Sequence, residues 1–387
     1  MKGNHNDQLR QHHGEESTLM NLSNIIDKLG PRFAERAAQH DATDAFVAEN
    51  FEELKREGVF WAGIPEALGG GGAPYSDLCA ALHKLAGYCG STALALSMHL
   101  HVVALLEWRR QNQQAPVDAF LRRLTTERLI VASSGGSDWL QSSGTAEAVE
   151  GGFRITGRKI FSSGCPAADL ISTSAVHNDP EKGPTVIHFI GDLHSPQVKI
   201  LDTWRTLGMR GTGSHDLLLE GLFVPEAAVS VRRPQGKWHP LFHMIAKIAF
   251  PLIYSVYAGI AQAARDLAIK EAAPKRENAD TQMLAGELDS ELAVVRMAWE
   301  RMLALGNSAA PGPPTTSEIF IARQLVARAG IRTVEKAIEL VGGRAFYRSM
   351  ALERMFRDIQ AARFHPLQEK PQIRLTGRLA LGLDIDG

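Results

Sequence analysis

The sequence predicts an α+β fold in three consecutive parts: an N-terminal α-helical domain over residues 19–128, a middle β domain over 129–233 and a C-terminal helical bundle over 238–387. Leu and Ala recur at helical spacing before residue 129. Short β-rich runs divided by Gly, Pro, Asn and Asp then continue to about residue 231, and helical periodicity returns from 239 to about 381.

Residues 1–18 are polar and rich in His, Gln and Asn, without the apolar core of a secretory signal, and read as a flexible leader. Residues 46–57 form a charged amphipathic helix pattern, and 78–111 a longer helical run rich in Ala and Leu. Between them, Gly63-Ile64-Pro65-Glu66-Ala67-Leu68-Gly69-Gly70-Gly71-Gly72 cannot continue a helix and must be a loop. Strands are expected at 129–132, at 147–156 around the Gly151-Gly152 turn, and at 170–176, 185–190 and 217–224, forming a small antiparallel barrel or sandwich. In the last third, 307–314 is an inter-helix loop carrying three prolines. The most apolar stretch, 248–264, is interrupted by Pro251, Tyr254, Ser255 and Tyr257 and preceded by Lys247, so it reads as a buried helix and not a membrane span.

With 42 Lys+Arg against 43 Asp+Glu the chain lacks the basic footprint of a nucleic-acid binder or a protein held on anionic lipid. Cys79, Cys89 and Cys165 form no CxxC pair and no disulfide framework, which points to a reducing, cytoplasmic setting. His239 and His243 are four residues apart but have no acidic partner in the pattern, so no metal site is expected.

Two small-residue clusters stand out in the β domain, Ser133-Ser134-Gly135-Gly136-Ser137-Asp138 and Phe161-Ser162-Ser163-Gly164. Their glycines allow close approach of a ligand to the backbone, and their hydroxyls can bond the polar edge of a planar ring or a diphosphate. Each alone is also an ordinary turn, and neither is a GxGxxG fingerprint or a P-loop.

The order of motifs along the chain resembles the acyl-CoA dehydrogenase superfamily from about residue 46 to 381. The matching segments are Gly63-Ile64-Pro65-Glu66 with the glycine run, Gly136-Ser137-Asp138, Lys159-Ile160-Phe161-Ser162-Ser163, Leu207-Gly208-Met209-Arg210-Gly211-Thr212, Phe223-Val224-Pro225, and Leu340-Val341-Gly342-Gly343 followed by Arg357-Asp358. The resemblance implies a β-barrel middle domain, a C-terminal four-helix bundle and a flavin held between the parts in a homotetramer or homodimer. It assigns Ser133, Ser137, Phe161 and Ser163 to the flavin ring, and Gly342 and Gly343 to the passage of a partner subunit's flavin. Arg210 and Arg357 are expected to pin strand and helix ends.

Two departures qualify the resemblance. The family's usual catalytic Glu falls on Pro366, and the alternative position on the first long C-terminal helix falls on Ala249, neither of which accepts a proton. The Arg-x-x-Phe-Gly diphosphate segment is replaced by Pro274-Lys275-Arg276-Glu277-Asn278, so FAD is the first expectation and FMN the alternative. The resemblance extends to a branch with a different type of C-terminal domain, which includes two-component monooxygenases using reduced flavin and O2. In that setting His365, His99 and Ser163 form a candidate set around the oxygen chemistry, although His101 could equally be the inward histidine of its helix. Glu369 is a candidate displaced base, beside Lys370 in a segment that also reads as solvated.

The expected activity is flavin-dependent α,β-oxidation of an acyl thioester, with His365 or Glu369 as an unorthodox base. Monooxygenation through His99, Ser163 and His365, and a non-catalytic flavin or acyl-CoA binding protein, are the alternatives. The expected partners are a small acyl or aromatic substrate and either an electron-transfer flavoprotein or a flavin reductase.

Overall fold

The structure, a computed structural model, describes residues 20–136 and 139–386. The leader over 1–18 and the predicted flavin ligand Ser137 lie outside the described residues. Five helices open the chain: α1 (Leu22–Thr43), α2 (Ala48–Arg56), α3 (Tyr75–Tyr88), α4 (Gly90–Gln113) and α5 (Asp118–Thr126). Asn21 caps α1 by accepting from the Asn24 N–H at 3.0 Å, satisfying a donor that a helix start leaves free. The run read as one helix over 78–111 is two, because Cys89 takes an extended conformation (φ −151°, ψ 103°) between α3 and α4.

The β part has eight strands: β1 (Val131–Ser133), β2 (Thr145–Val149), β3 (Gly152–Lys159), β4 (Leu170–Asp179), β5 (Gly183–Asp192), β6 (Val198–Leu201), β7 (Asp216–Pro225) and β8 (Val229–Pro234). They pair in the order β6-β7-β3-β2-β4-β5-β8, with β1 parallel to β4. Strands β6 and β8 escaped the sequence reading: β6 is only four residues long, and β8 alternates apolar with Ser and Arg. The sheet curls enough that Gly191 on β5 meets Leu222 on β7, four positions away in the order. Alternate residues from Phe153, Ile155, Ile187, Phe189, Leu222 and Val224 fill the enclosed space as a separate apolar core.

Five further helices follow: α6 (Pro240–Ala272), α7 (Ala279–Ser308), α8 (Pro313–Val341), α9 (Ala351–Ile359) and α10 (Glu369–Ala380). The long α6, α7 and α8 pack on one another, with α9 and α10 against α8. Helix α6 also lies across α3 and α4, where Gly259 approaches so closely that a Cβ there would stand 2.0 Å from the His83 carbonyl. Tyr75 of α3 donates to the Ile248 carbonyl at 2.6 Å, three residues before Pro251, and α6 runs on through that proline. By length and composition α4 and the segment 240–275 could cross a membrane, yet their apolar windows are 78% and 94% buried inside the protein. The expectation of a buried helix at 248–264 agrees with that packing.

A buried polar junction ties the β part to the bundle. Asp358, 4% exposed at the end of α9, accepts the Met209 N–H at 2.5 Å, and Arg357 beside it pairs with Asp41 of α1 and Glu353. Arg210 donates to the Thr206 carbonyl at 2.9 Å and stays near Asp44, so both arginines brace the junction as expected. Burial pushes the Asp358 carboxyl up to about 6, against the opposing pull of the Met209 N–H and Arg354. A carboxyl raised on folding favours the native state at low pH and loses that contribution as pH rises from about 4 to about 6. Asp358→Asn keeps an acceptor for Met209 but does not ionise, so its stability relative to the parent should rise across that interval by up to about 3 kcal/mol. Urea midpoints at pH 4 and pH 7 measure this, and equal differences at both would refute it.

Candidate active site

A cleft of about 1400 Å³ opens between α4, the β part, α6 and the turn that follows α9. It exceeds the roughly 300–1,000 Å³ of a single small-molecule site, leaving room for two ligands side by side.

The β part supplies a wall of hydroxyls and two aromatic rings. Ser133, Ser134, Gly135 and Gly136 leave β1 along the cleft, and Phe161 and Ser163 follow β3. Phe161 sits at φ 58°, a conformation disfavoured for an aromatic residue, and its ring is 47% exposed, edge-on to Trp204 at 5.9 Å. Ser163 bonds Ser214 at 2.7 Å, Ser214 bonds Thr212 at 2.7 Å, and Thr212 donates to the Met209 carbonyl at 2.9 Å. Because a carbonyl only accepts, the chain has a fixed polarity: Ser214 donates to Thr212 and Ser163 donates to Ser214. Ser163 therefore offers the cleft lone pairs, suited to a ligand N–H.

The opposite wall carries nitrogen and phenol. His101 of α4 uses Nδ1–H to donate to the Ser97 carbonyl at 3.1 Å, which leaves Nε2 as an acceptor; burial pushes this imidazole down to about 4. His365, on the turn after α9, has Nε2 2.5 Å from the Tyr257 hydroxyl of α6. Burial first, then the charges of Arg323 and His101, push His365 down to about 3. Both imidazoles are neutral near pH 7. The Tyr257–His365 pair keeps one proton for the cleft in either arrangement: His365 Nδ1–H when Tyr257 donates, or the Tyr257 O–H when His365 does. Around these groups α4 and α6 line the cleft with the apolar side chains of Met98, Val102, Phe242, Ile245, Phe250 and Ile253.

Of the residues predicted from the sequence, Ser133, Phe161, Ser163 and His365 line this one cleft. His99 does not, and its place is taken by His101. His99 Nε2–H donates to the Phe60 carbonyl and His99 Nδ1 accepts the Val131 N–H, both at 2.9 Å, so both ring nitrogens are spent tying α4 to the turn after α2 and to β1. His99→Ala would strand a buried carbonyl and a buried N–H. A loss of about 3 kcal/mol in urea unfolding is expected, with turnover per folded molecule unchanged.

Glu369 lies outside the cleft in an exposed ion pair with Arg328, 2.8 Å apart, and is corrected from candidate base to surface partner. Gly342 and Gly343 are exposed and open, away from the cleft, beside Phe346 and Tyr347, which are 85% and 68% exposed. Ala249 is buried and Pro366 lines the cleft, so neither position supplies a carboxylate. The lining carboxylates Asp169 and Asp192 are engaged by Ile130, His194 and backbone N–H groups on the β side. His243 is held between Thr316 and Trp238, and among the described residues no cluster fit for a metal occurs.

Tyr257, Trp204 and Ser214 were missed. Tyr257 had a signal: with Tyr254 it places two phenols three residues apart on one face of an otherwise apolar helix, and each needs a buried polar partner. Trp204 and Ser214 carried none, because their role depends on loops brought together by the sheet.

Comparison with known proteins extends over most of the chain. Residues 26–126 match the acyl-CoA dehydrogenase N-terminal domain, 132–222 its middle domain and 251–365 its C-terminal domain. YdbM of Bacillus subtilis (strain 168), assigned by name to the acyl-CoA dehydrogenases, is 28% identical over 367 residues, covering 88% of this chain and 91% of its own length. The L-evernosamine nitrososynthase of a Micromonospora species is 28% identical over 387 residues, covering 94% and 91%. Among solved structures, a KijD3 in complex with FMN and dTDP-3-amino-2,3,6-trideoxy-4-keto-3-methyl-D-glucose superposes with a TM-score of 0.87 at 28% identity, covering 95% of this chain and 94% of that one.

Proposed function

The chain is a flavin-dependent oxidoreductase belonging to the acyl-CoA dehydrogenase family, and on that footing we propose that it transfers oxygen from O2 to a small apolar substrate, using reduced flavin. The observation that carries this reading is the wall of two neutral imidazoles, His101 and His365 with Tyr257, where a carboxylate base would otherwise stand. Forming a nitroso group places oxygen on nitrogen, so the nitrososynthase relative supports the same class of chemistry.

The cleft fits a flavin on its β side: Ser163 accepts, the strained Phe161 and Trp204 present ring faces and edges, and Ser133 to Gly136 bring backbone close. Bound there and reduced, the flavin would supply two electrons and the site of O2 activation. His101 Nε2 would take a proton from the substrate atom that is oxidised. The Tyr257–His365 pair would deliver a proton to the oxygen that leaves as water. The apolar wall excludes bulk water, which limits loss of the oxidant as H2O2.

FMN is favoured over the FAD first expected. The KijD3 structure contains FMN, and the region that would meet a second phosphate has Arg276, 80% exposed, paired to Glu277. A flavin reductase is then the electron partner. The exposed Phe346 and Tyr347 beside Gly342 support assembly as a homodimer or homotetramer.

Oxidation of an acyl thioester is the second reading, favoured by the match of all three domains and by YdbM, with His101 Nε2 as base. One experiment separates the two. Protein with anaerobically reduced FMN or FAD is mixed with O2 and a panel of amines, arenes and sulfides, while the oxidised complex is mixed with acyl-CoAs. Oxygenated product with little H2O2 supports oxygen transfer; bleaching of oxidised flavin by an acyl-CoA, without oxygenated product, overturns it in favour of dehydrogenation.

A further inference from the structure

A buried cation stands directly behind the turn that carries His365. Arg323 of α8 is 2% exposed, and among the described residues it forms no ion pair. Its partners are neutral: Nε donates to the Tyr254 hydroxyl at 2.8 Å, another guanidinium nitrogen donates to the Leu367 carbonyl, and the rings of Phe250 and Tyr254 lie 5.6 and 5.2 Å from its centre. The Tyr254 hydroxyl in turn donates to the Ala362 carbonyl at 2.7 Å. One guanidinium–phenol pair thus holds the backbone on both sides of His365, three residues before it and two after. The Tyr254 ring also packs against the imidazole, 6.0 Å between centres.

Burying an unpaired guanidinium is costly, and an apolar side chain of similar volume would fill the position without that penalty. The charge has a clear local effect. Arg323 from α8, Tyr254 and Tyr257 from α6, and His101 from α4 are the titratable groups that face His365, and the guanidinium is the one among them that is always charged.

We propose that Arg323 and Tyr254 are positioning residues for His365: together they fix its turn, and the guanidinium keeps a second positive charge off the imidazole so that the Tyr257–His365 pair stays neutral. The proposal rests on the oxygen-transfer reading only for its catalytic meaning, since the state of the imidazole can be read without turnover.

The test uses the full-length protein labelled with ¹⁵N-histidine and followed by NMR, with His365 identified by its loss in His365→Ala. In the parent, His365 should show one neutral tautomer with no titration between about pH 5 and pH 8. Arg323→Gln should raise its midpoint by about one pH unit, from about 3 towards about 4, so the titration of parent and variants is carried down to about pH 3. Arg323→Lys should keep the midpoint low, because the charge remains. Tyr254→Phe, which keeps the ring and removes the hydroxyl, should broaden or split the His365 signal as the turn loses its Ala362 anchor. Should Arg323→Gln fail to fold, Arg323→Lys and Tyr254→Phe decide. A parent-like His365 spectrum in Tyr254→Phe together with a parent-like midpoint in Arg323→Gln, or a raised midpoint in Arg323→Lys, overturns the proposal. Oxygenated product is measured in parallel: its absence in the parent defeats the oxygen-transfer reading and leaves the positioning result standing, whereas unchanged His365 spectra in a productive enzyme defeat only the positioning role.

Discussion

In the His365→Ala variant, O2 consumption is expected to continue while oxygenated product falls by about 100- to 10,000-fold, the difference appearing as H2O2. The variant keeps the apolar wall but removes the partner that lets Tyr257 release or hold a proton at 2.5 Å. The phenol alone is a poor donor, because burial first of all pushes its ionisation well above the ordinary value. The pH profile of the parent should corroborate this. His101 and His365 are pushed down to about 4 and about 3, so the basic forms are both present from about pH 5 upwards. Product formation should therefore lack an acid limb near 6.5 and decline only towards pH 4. Unchanged coupling in His365→Ala, or a limb near 6.5 that vanishes in the variant, would remove the neutral pair from the mechanism.

Gly208→Ala is expected to destabilise the protein by about 3 kcal/mol or more and to loosen retention of the flavin. A Cβ at Gly208 would stand 2.2 Å from the Arg357 carbonyl oxygen and 2.6 Å from the Asp358 N, and the obstacle is backbone, which cannot rotate away. Relief requires lifting the loop off α9. That movement breaks the Met209 N–H bond to Asp358 and leaves a buried carboxylate without its donor. The same loop presents Met209, whose carbonyl orients the Thr212–Ser214–Ser163 hydroxyls, so the wall proposed to hold the flavin should lose its polarity with it. Urea unfolding together with flavin retention on gel filtration measures both effects. A variant within about 1 kcal/mol of the parent, retaining its flavin, would show that the junction tolerates a gap.

The elements with strong periodicity were legible. The helices and six of the eight strands, in five predicted runs, follow from residue spacing, and the Gly151-Gly152 turn correctly divides β2 from β3. The break at Cys89 was not legible: no Pro marks it, and Ala and Leu continue on both sides. In the site, the clusters after β1 and β3 were found because serine and glycine in a row are chemically conspicuous. The choice between His99 and His101 was not available from spacing, since two residues on a helix differ by about 200° in direction and either could face inward. What decides it is Val131, whose N–H on β1 claims His99 from another part of the chain. Ser214 joins Ser163 across 51 residues for the same kind of reason.

The position of α6 across α3 and α4 has a consequence for how the chain unfolds. Apolar side chains from the first five helices and from α6 to α10 belong to one continuous core that also takes in Val131, Leu170, Ile171 and Leu217 of the β part, while the β part encloses a second, smaller core. Three parts in sequence are thus not three independent units in thermodynamics. Calorimetry should resolve at most a helical and a β transition, and a fragment ending before α6 should lack the partner surface it needs to melt as a unit. During synthesis, α3 and α4 must wait with an open apolar face while more than a hundred residues of β structure emerge, until α6 arrives to cover them.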